Sequence, residues 1–175
     1  MRRLSKVLDI SKNSHPDVFI SSTYEDLVDY RAAARDAALS CKCFPVMMEY
    51  WPAMDKKAVQ ECMAEIDGCD IYVGLYAHRY GHCPEDSDLS ITELEFDRAT
   101  QKGLKRLCFL LSEQVEWPER LKETEPGKAK LDKFKTQKLS SALIWKQFID
   151  PKDFGSLGMS VVGPICGGKM DSGEV

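Results

Sequence analysis

The sequence predicts a three-layer α/β domain, a flavodoxin-like sandwich whose five-stranded parallel sheet runs in the order 2-1-3-4-5. Two observations carry this. Short apolar, β-branched runs alternate with longer segments of helical periodicity from residue 17 to residue 148. The runs are apolar throughout instead of alternating with polar residues, as strands covered on both faces are.

The first strand is "DVFISS" (17–22), which stops abruptly in hydroxyl residues. "TYEDLVDYRAAARDAALS" (23–40) follows, with Leu27, Tyr30, Ala34 and Ala38 at helical spacing and no Gly or Pro to interrupt them. "CFPVMM" (43–48) reads as the second strand and "DKKAVQECMAEIDG" (55–68) as a helix ending at Gly68. "CDIYVGLYA" (69–77) is the clearest strand, and "SITELEFDRATQKG" (90–103) a helix ending at Gly103. "KRLCFLL" (105–111), the lysine-rich "GKAKLDKFKTQKLSS" (127–141) and "ALIWKQF" (142–148) complete the pattern as strand, helix and strand.

Residues 1–14 are basic, polar and aperiodic, and are expected to form a flexible leader. The domain is expected over 15–154, with 155–175 as a glycine-rich tail or linker. Within that tail "GPICGGKM" falls short of a phosphate-cradling loop, because Met170 stands where a metal-binding hydroxyl is required. A length of 175 residues suits one buried core.

A net charge of −4 argues against nucleic acid as the main partner. No run approaches the roughly 18 apolar residues that span a bilayer, and the N-terminus has no apolar signal core, so a cytoplasmic chain with no membrane partner is expected. The seven cysteines form no CxxC pair, and Cys43, Cys69 and Cys108 fall in apolar runs; they are expected to be reduced core residues. His78, His82 and Cys83 lack a fourth ligand at usable spacing, so no metal is expected, and no cofactor motif is present.

In strand order 2-1-3 a ligand crevice opens between the loops that follow strands one and three. The first loop offers Ser21, Ser22, Thr23 and Tyr24, with Ser22/Glu25 and Thr23/Asp26 at capping-box spacing. These residues cap a helix, and the same hydroxyls and free N–H groups can cradle an anion. The second loop, "YAHRYGHCPEDSDLS", offers Arg79 for phosphate or carboxylate, Tyr80 for stacking, and Gly81. The alternative is a surface loop in which Arg79 answers its acidic neighbours.

"SITELEFDRA" (90–99) holds two glutamates of different kinds. Ser90 and Glu93 have capping-box spacing, with Leu89 and Leu94 placed for a hydrophobic staple, so local structure accounts for Glu93. Glu95 instead shares a stripe with Ile91 and Ala99 that should face the sheet. It is either paired inside the core, with Arg98, Lys102 or Arg79 as the available cations, or turned into the crevice to act. A fixed carboxylate there could stabilise an oxocarbenium-like state or bind ribose hydroxyls, and the helix dipole would favour its ionised form.

The blocks "VFISSTYEDLVDYRAAARDAAL", "CDIYVGLYAHRYG" and "SITELEFDRA" followed by "GLKRLCFLL" resemble the TIR-like domain of unknown function at the N-terminus of NACHT and related STAND ATPases and repeat-containing proteins. The likeness runs from about residue 16 to 149. More distantly, Glu95 with Ala99 resembles the E-x-x-x-A stretch of TIR-domain NAD hydrolases and nucleoside deoxyribosyltransferases, although the Trp-Cys pair that often precedes that glutamate is missing.

The resemblance implies an innate-immunity effector or signalling domain. Glu95 would be its catalytic carboxylate, Ser21, Ser22, Thr23, Tyr24, Arg79, Tyr80 and Gly81 its nucleotide-binding surface, and NAD its substrate. It also implies partners: other copies of the domain and an attached ATPase or repeat array. The alternatives are a non-catalytic self-association module and a deoxyribosyltransferase-like enzyme.

Overall fold

A computed structural model describes residues 15–47, 56–142 and 144–166. The sheet comprises β1 (Asp17–Ser22), β2 (Phe44–Met47), β3 (Ile71–Tyr76), β4 (Lys105–Leu111) and β5 (Ile144–Phe148). Every pairing is parallel and the order is β2-β1-β3-β4-β5, as the sequence predicts. The connecting helices are α1 (Val28–Ser40), α2 (Lys56–Gly68), α3 (Ile91–Gln101) and α4 (Gly127–Gln137), and α5 (Pro151–Cys166) follows the last strand. The expected leader, Met48 of the second strand and residues 167–175 lie outside the described residues.

Alternation along each strand sorts side chains between the two faces. Val18, Ile20, Ile71, Val73, Leu107 and Phe109 pack with α1 and α5. Phe19, Tyr72, Tyr76, Cys108 and Leu110 point the other way, against residues of α2, α3 and α4. β3 is buried at all six positions, which explains its uninterrupted apolar run. β2 and β5 are the edge strands, and Trp145 on β5 is half exposed.

Two boundaries differ from those the sequence suggests. α1 begins at Val28, not near Thr23, and Leu27 at its N-cap offers no side-chain bond. The Ser22/Glu25 box does not close: Ser22 Oγ donates to the Thr23 carbonyl, and Glu25 turns to Arg79. The second difference is at the C-terminus, where the segment expected to be a loose tail from Gly155 is helical to Cys166. Three helical glycines cost up to about 1 kcal/mol each relative to Ala, whereas each apolar side chain taken fully from water returns roughly 1.5–3 kcal/mol. Phe154, Val161 and Val162 are buried on α1 and the sheet, and Gly158 lets α5 come close to Ala37. Tertiary burial therefore overrides the local composition.

The cysteines also depart from expectation in one pair. Cys69 and Cys108 are free and buried, but Cys43 is bonded to Cys166 across 123 residues. Two positions so distant in sequence are joined only because α5 folds back over the start of β2.

Two glycine substitutions should have opposite effects. A Cβ at Gly155 meets nothing within 4 Å, so Gly155→Ala is expected to stabilise by about 0.5–1 kcal/mol through helix propensity. Gly81 has φ +93° and a Cβ there would lie 3.1 Å from Thr23 Cγ2, so Gly81→Ala is expected to cost about 1–2 kcal/mol. Urea unfolding of the two variants measures both signs.

Candidate functional site

The middle of the sheet carries a row of small residues. Ser21 on β1 pairs with Gly74 on β3, and Gly74 pairs with Cys108 on β4. A Cβ at Gly74 would collide with the Tyr76 phenol, so the glycine leaves the space in which Tyr76 OH meets Tyr72 OH at 3.0 Å. The Ser21 hydroxyl lies beside the Tyr72 phenol and extends the polar chain to β1.

α3 delivers Glu95 onto this row. Ser90 caps the helix, its Oγ accepting from the Glu93 N–H at 3.2 Å, and this fixes the phase of the following turns. Glu95 is 5% exposed; Ser21 Oγ donates to its Oε2 at 2.5 Å and Cys62 Sγ, from α2, to its Oε1 at 3.1 Å. Burial raises the Glu95 pKa above the ordinary carboxylate value, opposed by the Ser21 and Cys62 bonds and by the charge of Arg31. Burial and the neighbouring Glu95 also push the Cys62 thiol far up, so it stays protonated and is no nucleophile in this state.

The cations that could have neutralised Glu95 are engaged elsewhere. Arg98 and Lys102 both bind Asp67, Arg98 through a bidentate contact of 2.7 and 2.5 Å. Arg79 pairs with Glu25 at the surface. Among the described residues no ion pair reaches Glu95.

Glu93 has the opposite environment. It is also 5% exposed, but its carboxylate accepts from Tyr80 OH at 2.5 Å and pairs with Lys138 at 2.6 Å. Lys138 also binds Asp97 at 2.6 Å, so the ammonium bridges two α3 carboxylates and pins the helix to the end of α4. Only half of the expected capping box forms: the Glu93 N–H meets Ser90, but its carboxylate does not return the bond and is buried against Tyr80 and Lys138.

The residues expected to form one nucleotide surface separate into groups. Ser21 joins Glu95 in the buried network. Thr23 and Gly81 meet where the loops after β1 and β3 touch. Ser22 accepts from Arg31 Nη1 at 2.8 Å, and the Arg31 guanidinium lies 5.9 Å from the ring centroid of Tyr24, which is 46% exposed. Arg79 stands at the surface with Glu25, and Tyr80 is 4% exposed, its hydroxyl held by Glu93, so its ring is not presented for stacking.

Sequence reasoning missed Arg31, Cys62 and Tyr72. The alternation of β3 could have placed Tyr72 and Tyr76 on one face, but no local signal assigns Arg31 or Cys62 to Glu95. Among the described residues no three His, Cys, Asp or Glu side chains gather as a metal site, and no helix is long and apolar enough to cross a membrane.

A family model described as a domain of unknown function, DUF4062, matches residues 17–159. The chain belongs to this family. No curated protein matches it. Among solved structures the chain is similar to a flavo di-iron protein mutant from Thermotoga maritima, at 14% identity and a TM-score of 0.48. That match covers 86% of this chain, which spans only 36% of the other protein's length.

Two expectations follow for this DUF4062 domain. Removing the cation from Glu93 by Lys138→Met leaves a buried charge and should destabilise by about 2–4 kcal/mol, with Glu93→Gln restoring part of the loss in a double-mutant cycle. Glu95 has the linkage sign of a raised acid: its stabilising proton is fully bound below the unfolded pKa and is lost as pH rises through the higher folded pKa. Glu95→Gln cannot ionise, and the Ser21 hydroxyl can turn to accept from the amide. Its melting temperature relative to wild type should therefore become more favourable as pH rises from about 4 to about 8. A pH-independent difference would refute the assignment.

Proposed function

We propose that this DUF4062 domain is a TIR-like effector or signalling domain that binds a nucleotide such as NAD and uses Glu95 on its N-glycosidic bond. The observation that carries the reading is a buried carboxylate at the β1/β3 switch point, held by a hydroxyl and a thiol with no ion pair among the described residues.

Such a carboxylate lacks the countercharge that usually offsets burial. Cleavage of an N-ribosyl bond develops positive charge on the sugar, which supplies that countercharge in the transition state and not in the ground state. With NAD and water, the bond between the ribose anomeric carbon and the pyridinium nitrogen breaks and its electron pair leaves with neutral nicotinamide. A water oxygen then bonds to the anomeric carbon and releases a proton. Nicotinamide needs no proton to depart, so Glu95 can act in its ionised form. Ser21 and Cys62 would hold the carboxylate in place. Thr23, Gly81 and the Arg31–Tyr24 pair frame the approach from the strand ends.

Glu95 is 5% exposed, so substrate reaches it only in a more open state. That same burial favours a second reading, a non-catalytic self-association module that reports the state of an attached ATPase or repeat domain. Concentrated or artificially clustered protein incubated with NAD, with nicotinamide release followed by chromatography, separates the two. Glu95→Gln is expected to lower release by at least about 100-fold, and equal release from wild type and variant would leave the self-association reading.

A further inference from the structure

Three cysteines meet where the end of α5 lies against the start of β2, at the edge of the sheet opposite the strand ends that frame Glu95. Cys43, directly before β2, is bonded to Cys166, the last residue of α5. Cys41, the C-cap of α1, lies beside them: its Sγ is 3.8 Å from the Met159 carbonyl and would be 3.6 Å from a Cβ at Gly163. Cys62, Cys69 and Cys108 are buried on the other side of the sheet, and Cys83 sits in the loop after β3.

The two bonded sulfurs differ in access. Cys43 is 3% exposed and belongs to the core, whereas Cys166 is partly exposed at the helix end. A thiol arriving from solvent meets the Cys166 sulfur first, and Cys43 is then the leaving group. Cys41 is no internal substitute for that thiol, because burial raises its pKa and keeps it protonated.

The bond also sits where α5 is weakest. Val161 and Val162 are the last buried residues of the helix, and Gly163 and Pro164 follow, both poor helix formers. The closing turn from 163 to 166 is held by the partial packing of Ile165 on the core and by its covalent tie to Cys43.

We propose that Cys43–Cys166 is a reversible redox modification site, a staple that low-molecular-weight thiols of the glutathione class open and their disulfides close. In opening, a thiolate attacks Cys166 Sγ, the Cys166–Cys43 bond breaks, and Cys43 leaves as a thiolate that takes a proton. A second thiolate attacks the outer sulfur of the mixed disulfide, releasing Cys166 as a thiol and the two reagent thiols as one disulfide. Two electrons pass from reagent to protein, and the reverse sequence closes the staple. In a reducing compartment such a bond is a sensor and not a permanent brace.

The chain also suits a direct test, because Lys42 separates Cys41 from Cys43 and trypsin places them on different peptides. The full chain is equilibrated in graded mixtures of reduced and oxidised glutathione, quenched in acid and alkylated. Intact mass should show forms with five and seven modifiable thiols, interconverting over one range of ratios. The five-thiol form should yield a tryptic peptide linking Cys43 to Cys166. Amide exchange over residues 159–166 should rise several-fold on reduction while exchange in α3 stays constant. Cys166→Ser should abolish the linked form and give the faster exchange in every mixture, and Cys41→Ser should keep the transition with one thiol fewer in each form. A link through Cys41, no linked peptide at any ratio, or exchange indifferent to reduction would each overturn the proposal.

Discussion

The hydrogen bond from Ser21 to Glu95 joins the carboxyl end of β1 to the second turn of α3 across 74 residues, and the polar centre of the molecule is arranged around it. It exists because the sheet is thin at that point. Ser21, Gly74 and Cys108 lie side by side on three adjacent strands, and larger side chains would fill the space that Glu95, Tyr72 and Tyr76 occupy. Small residues in a sheet interior cost packing contacts. Here the space they leave is occupied by oxygen and sulfur atoms that find one another.

Two glutamates on one helix, equally buried, show how environment divides roles. Glu93 has a tyrosine hydroxyl and an ammonium that also binds Asp97, so its charge is neutralised locally and its effect is to seat α3 against α4. Among the described residues Glu95 has a hydroxyl and a thiol as donors, with Arg31 acting at longer range, and burial wins over these to raise its proton affinity. The two carboxyl groups therefore sit in different surroundings, one facing an ammonium and the other enclosed by a hydroxyl and a thiol.

The layered fold was legible because it rests on period and length: five apolar runs, each too short for a helix, separated by helical segments. The inward stripe of Glu95 was legible for the same reason, from a rotation of about 100° per residue, whereas the equal burial of Glu93 was not, because Tyr80 and Lys138 reach it from other elements. What escaped was settled by long-range packing. Glycines at 155, 158 and 163 read as a tail because propensity is local, whereas Phe154, Val161 and Val162 gain their stabilisation from α1 and the sheet. Tyr80 read as a free ring because loop residues usually are, and only the fold brings Glu93 and Lys138 to it. Cys43 read as a core thiol, correctly buried, but its partner lies at the far end of the chain.

An uncompensated carboxylate is tolerated in a core only if the fold gains elsewhere or if the charge serves a state other than the resting one. The proposed function rests on the second. Arg98 is on the same helix, three residues on, and Lys102 seven; either could have been directed inward, yet both are spent on Asp67 at the surface. A protein optimised only for stability would place an apolar residue at position 95, because replacing buried polar groups by well-packed apolar ones is often neutral or stabilising. Ser21 and Cys62 hold the carboxylate in a fixed direction without neutralising it, the condition under which an arriving positive charge gains most from meeting it.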